Sequence, residues 1–183
     1  HFFPNYKIFV YNDIEPNNNE NWNELKQIDN LQIIKRERPR EFDGYPIKHV
    51  QYAADVTRLE ILYEKGGIYL DLDMLVLKNF ESIFENHSLI ISEENSTKSN
   101  NLINSIIIVK PKNEFLKLWL DSFKISLRID IWAYHIKTFN KKILEENKHY
   151  KLKYGINILN SKYFFDFAWE ETNKFLNIED NIT

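Results

Sequence analysis

The stretch from Asp55 to Asp73 runs a helical pattern, a double glycine and a short strand pattern directly into one another. Val50, Ala53, Ala54, Leu59, Leu62 and Tyr63 recur at helical spacing and predict a helix over residues 47–65. Gly66 stands where a helix ends in a left-handed residue, and Gly67 permits a tight turn into a strand. Ile68, Leu70 and Leu72 then alternate with Tyr69, Asp71 and Asp73, which predicts a strand over residues 68–77. Residues 74–77 are continuously apolar, so the end of that strand is expected to be buried. A helix that turns straight back into a strand confines the chain to a layered α/β architecture.

The carboxylates in this stretch carry its chemistry. Alternation puts Asp71 and Asp73 on one side of the strand, with Cβ atoms roughly 7 Å apart. Two acids within an apolar strand are costly unless paired or metal-bound. Together they form a hard oxygen site for a divalent cation, Mn²⁺ or Mg²⁺, which could in turn hold a diphosphate. Asp55 and Arg58 are three residues apart and share a helix face. Their spacing lets them line the same cleft as Asp71, Arg58 offering a rigid donor fork and Asp55 accepting from hydroxyls. The plain alternatives are a polar strand edge for the acid pair and a surface ion pair for Asp55 and Arg58, worth only tenths of a kcal/mol.

The ordered set Ala54, Asp55, Arg58, Leu62, Gly66, Gly67, Tyr69, Asp71 and Asp73 resembles the core signature of the DXD-containing sugar transferases of glycosyltransferase family 32. That group includes mannosyltransferases and capsular-polysaccharide transferases. Weaker similarity extends to Pro4, Tyr6, Tyr11, Asn12 and Asp13 on one side, and to Asn104, Ile106, Ile107, Pro111 and Phe115 on the other. The resemblance implies a GT-A-like, Rossmann-type nucleotide-sugar-binding fold. It implies transfer of a hexose from a UDP- or GDP-sugar to a glycan, lipid or protein hydroxyl, with retention of configuration. Asp73 would then be the direct metal ligand, and Asp71 would meet the ribose or sugar and support the metal through water. Asp55, Arg58, Tyr69 and Asn104 would bind the donor. The family's usual opening strand has no counterpart here, so weak discrimination between nucleotide bases is expected. Two other readings compete: a non-catalytic nucleotide-sugar or glycan-binding module, and a haloacid dehalogenase-type phosphatase with an Asp-Leu-Asp nucleophile motif.

At 183 residues a single domain spanning 1–183 is expected, with a weakly ordered tail over 172–183. A net charge of −3 gives no electrostatic case for nucleic acid or an anionic membrane. The absence of cysteine excludes disulfides and thiolate chemistry. No apolar run reaches ~18 residues, so no membrane span is expected, and residues 1–5 do not read as a signal peptide. A cytoplasmic protein and a soluble fragment of a larger or anchored one both fit.

Further strands are expected over residues 6–11, 31–35, 88–92, 103–110 and 154–159, and helices over 22–28, 114–127 and 129–147. Their alternation predicts a mostly parallel sheet flanked by helices. Residues 36–45 read as a flexible loop over the site. His49, His87, His135 and His149 show no ligand spacing and read as ordinary surface or capping histidines. Asp166, Glu170 and Glu171 are weak candidates for a last metal ligand.

Overall fold

A computed structural model describes residues 3–17, 19–84, 86–94, 101–129, 134–146 and 149–164. The tail 172–183, together with Asp166, Glu170 and Glu171, lies outside the described residues. The order of elements is β1 (Ile8–Asn12), α1 (Glu20–Leu25), β2 (Leu31–Lys35), β3 (Glu41–Phe42), β4 (Tyr45–Pro46), α2 (Val50–Lys65), β5 (Gly67–Leu70), β6 (Leu89–Glu93), β7 (Leu102–Val109) and α3 (Glu114–Ile129). A π-helical segment, Tyr134–Asn140, leads into α4 (Lys141–Glu146), α5 (His149–Lys153) and β8 (Ile156–Leu159).

The main sheet has the order β5-β7-β6-β8. It is mixed, which corrects the mostly parallel sheet expected from the alternation of elements. Strand β7 lies between β5 and β6 and runs antiparallel to both, and only β8 joins parallel, against β6. The reason lies in the connections, since β6 ends at Glu93 and β7 begins at Leu102, a span shorter than the dozen or so residues that a crossover between parallel neighbours needs. Strands β1 and β2 form a separate parallel pair, connected through α1.

Helices α2 and α3 cover one face of the main sheet. Tyr52, Val56, Leu59 and Leu62 of α2 pack with Phe115, Leu116, Trp119 and Phe123 of α3 over Leu89, Ile91, Ile107 and Val109. The opposite face buries Ile90, Ile106, Ile108 and Leu159, with Ile68 and Leu70 of β5 against them. Alternation therefore holds along β5, with Tyr69 on the helix-covered face and its neighbours on the other.

The strand expected over residues 68–77 ends at Leu70. The Asp71 amide still donates to the Ser105 carbonyl at 2.8 Å, but the Asp71 carbonyl accepts from the Met74 amide at 3.0 Å and turns the chain out of the sheet. Burial of residues 74–77 is corrected accordingly: Leu75 and Leu77 are exposed, as is Leu72. The loop expected over residues 36–45 contains the β3–β4 hairpin, turned by Asp43 and Gly44 at φ 51° and 78°. Asp-Gly at positive φ is the chemistry of a tight hairpin. Of the helix expected over 129–147, residues 134–146 are helical, as a π-helical segment that passes into α4, while 130–133 and 147 lie outside the described residues.

An irregularity separates β6 from β7 beside the site. Ile91 faces Ile107, yet its neighbour Ser92 faces Ile103, so Asn104, Ser105 and Ile106 have no partner on β6. Bulges of this kind re-aim side chains next to functional sites.

Candidate active site

Gly66 sets the path from α2 into β5. Its φ is +66°, and a Cβ there would fall 2.7 Å from Pro111 Cδ and 2.9 Å from the Val109 carbonyl oxygen. Only glycine fits both the backbone conformation and the close approach of β7's end. The helix and the strand are thereby locked at a distance that brings Asp55 and Arg58 onto the end of β5.

Arg58 lies at the centre of the resulting cluster, and it is buried, as is Asp55. Its Nη2 stands 3.2 Å from Asp55 Oδ1, and its Nη1 is 3.2 Å from Asp71 Oδ1 and donates to the Asn104 carbonyl at 2.7 Å. The guanidinium carbon sits 4.4 Å from the centre of the Tyr69 ring. Arg58 Nε has no partner among the described residues. Asn104 Nδ2 donates to Asp55 Oδ1 at 2.7 Å, and Tyr69 Oη donates to Asp71 Oδ1 at 2.6 Å. Burial pushes the Tyr69 hydroxyl above its ordinary pKa of 10.0; the guanidinium over its ring opposes this, and the bond to Asp71 adds to it.

Asp55, Arg58, Tyr69, Asp71 and Asn104 thus form one hydrogen-bonded clasp built from α2, β5 and β7. The β7 bulge supplies Asn104 and the Ser105 carbonyl that anchors Asp71. Asp73 lies beyond the end of the strand, exposed to solvent and without a hydrogen bond or ion pair among the described residues. One guanidinium set against Asp55, Asp71 and Asp73 leaves the cluster net negative, which favours a cation. Among the described residues no group of three or more acids or histidines is arranged to hold a metal ion. The contacts of Asp71 with Tyr69 and Arg58 both fall on Oδ1, so the donors on offer for a cation are Asp71 and the free Asp73.

One member of the site escapes a sequence reading. His135 is not a surface or capping histidine: it is 1% exposed, and its Nε2 lies 3.1 Å from Asp55 Oδ2. The ring packs against Phe123 with centroids 4.1 Å apart, and Nδ1 accepts from Trp119 Nε1 at 3.2 Å. His49, His87 and His149 are not in this cluster.

Comparison with known proteins places most of these elements in a known family. Residues 2–94, half of the chain, match the family model described as the glycosyltransferase sugar-binding region containing the DXD motif. Glucan organizing enzyme 1 of Cryptococcus neoformans is 34% identical over 111 residues, covering 57% of this chain and 30% of that protein. Lactosylceramide 4-alpha-galactosyltransferase of Mus musculus is 27% identical over 130 residues, covering 67% of this chain and 34% of that protein. The chain therefore spans about a third of the length of these curated relatives. No solved structure matches it. Among the described residues no helix is long and apolar enough to cross a membrane. A match that runs through α2, the double glycine and both acids of Asp-Leu-Asp leaves one conclusion: the chain belongs to the DXD-containing glycosyltransferase sugar-binding family.

Proposed function

We propose that this domain is the donor-binding part of a GT-A-like, metal-dependent glycosyltransferase that moves a hexose from a UDP- or GDP-sugar to a hydroxyl acceptor with retention of configuration. The observation that carries this reading is the clasp: an arginine held between Asp55 and Asp71, with an unpartnered Nε, beside a free Asp73. Arg58 and Asp55 offer donors and acceptors for sugar hydroxyls, supported by Asn104 and Tyr69. Asp71 and Asp73 would hold Mn²⁺ or Mg²⁺, with diphosphate and water oxygens completing the coordination. A cation held there supplies neutralisation of the charge that builds on a departing diphosphate. The acceptor is a glycan, lipid or protein hydroxyl, and the kinship with a transferase named for lactosylceramide favours a glycan-bearing one.

A non-catalytic nucleotide-sugar- or glycan-binding module is the reading that the same test separates from it. Nothing in the family match supports a phosphatase. The test is a panel of UDP- and GDP-sugars with Mn²⁺, scored by thermal shift and by release of the nucleoside diphosphate. Binding with turnover supports the transferase. Binding without turnover supports the module, and failure to bind any sugar nucleotide would overturn both.

A further inference from the structure

We propose that His135 and Trp119 are positioning residues that fix the Asp55 carboxylate in the donor-sugar site; the proposal rests on the donor-binding reading of Asp55 and Arg58. An indole N–H can only donate, so the Nδ1 of His135 that it meets is the unprotonated nitrogen. The ring proton is then on Nε2, where it donates to Asp55 Oδ2. Trp119 thereby selects the tautomer that can hold the acid. In the other tautomer, a lone pair on Nε2 would face the carboxylate.

The arrangement divides the two oxygens of Asp55 between two tasks. Oδ1 serves Asn104 and Arg58, and Oδ2 is taken by His135. A carboxylate held at both oxygens cannot swing, so it presents Arg58 to a ligand in one orientation. The support comes from two directions at once. Trp119 belongs to α3, fully buried in the core, whereas His135 belongs to the π-helical segment. Wide π-turns are rare and recur at functional sites. Phe123 at 4.1 Å and Tyr52 at 6.2 Å, centroid to centroid, fix the plane of the imidazole. The chain of contacts runs from the core to the sugar site and ends at Arg58 and Asp71.

The test uses the full chain with Mn²⁺ and calorimetric titration of UDP-glucose, UDP-galactose, GDP-mannose, UDP and GDP. His135→Leu is expected to weaken the best sugar nucleotide by about tenfold or more, as loss of a hydrogen bond to a charged group does. The matching free nucleoside diphosphate is expected to change by less than about threefold, because it does not reach the sugar subsite. His135→Gln keeps an N–H at the Nε2 position and is expected to restore most of the loss. Trp119→Phe keeps an aromatic ring but removes the donor, so a selective loss for the sugar nucleotide is expected there too, even if His135→Leu does not fold. Imidazole nitrogen shifts are expected to report the Nε2–H tautomer in the wild type and a mixture in Trp119→Phe. Equal losses for sugar nucleotide and free nucleotide, no rescue by Gln, or an Nδ1–H tautomer in the wild type would overturn this inference alone. A wild-type protein that binds UDP or GDP no differently from their sugars, or binds none of them, would overturn the donor-site reading and this inference with it.

Discussion

Asp71 and Asp73 stand two residues apart in different surroundings. Asp71 is tied to Arg58 and Tyr69, and Asp73 reaches solvent with no partner among the described residues. Asp73→Ala is therefore expected to leave stability within about 0.5 kcal/mol, because it removes no packing and no partner. Its expected effect is loss of Mn²⁺-dependent donor binding; nucleotide affinity that is unchanged with and without Mn²⁺ would refute the metal role. Arg58→Ala is expected to behave differently. It removes the cationic partner of the Asp55 carboxylate, whose side chain is 12% exposed, and leaves it only Asn104 and His135, which should cost about 3 kcal/mol in urea unfolding. It should also weaken a sugar nucleotide more than the free nucleotide. Tyr69 gives a prediction in pH. Its folded pKa is raised above the unfolded value of 10.0, so it contributes stability that is full below pH 10.0. That contribution is lost as pH rises above this value, because the unfolded chain ionises first. Wild-type stability should thus fall more steeply than that of Tyr69→Phe above pH 10.0, and parallel unfolding curves for the two proteins would exclude it.

At the scale of elements, the junction between α2 and β5 is the most sensitive. Gly66→Ala is expected to cost about 3 kcal/mol or more, combining a left-handed backbone with a clash against Pro111. Gly67→Ala, at φ +108° with open space around the position, should cost about 1–2 kcal/mol from the backbone alone. Urea midpoints for the two variants measure the difference, and equal losses would show that the contact with Pro111 relaxes freely. This junction was legible in the sequence because helix period, paired glycines and strand alternation agree locally. The same holds for β2, found where it was expected. The early end of β5 was not legible, since apolar residues continue past it and only the Asp71–Met74 turn stops the strand. The β3–β4 hairpin carried a readable Asp43-Gly44 signal that the charged residues around it obscured. His135 carried none, because its partners lie 80 and 16 residues away in sequence. The sheet's mixed order was equally hidden, as alternation of elements does not reveal which strands pair.

At the scale of the whole molecule, stability is unevenly spread. Strands β1 and β2 contain no fully buried residue, and a two-stranded sheet is marginal by itself. Their ties to the remainder include the Arg36–Glu60 ion pair and an edge contact of Phe3 with Phe80. Strand β7 instead buries Ile106 to Val109 between two neighbours. Amide exchange over Ile8–Asn12 and Leu31–Lys35 is therefore expected through local opening, several kcal/mol below the global unfolding that governs Ile106 to Val109. Uniform protection across both regions would show that the two sheets unfold together. The bulge on β7 bears on the whole chain in another way. It aligns Asn104 with α2 and the Ser105 carbonyl with Asp71 while the flanking residues keep their pairing to β5 and β6. Adding or deleting one residue there would turn every side chain beyond it to the opposite face. Descendants of this chain can thus exchange side chains along β7 with some freedom, but must preserve its length, and new segments have to enter at the loops.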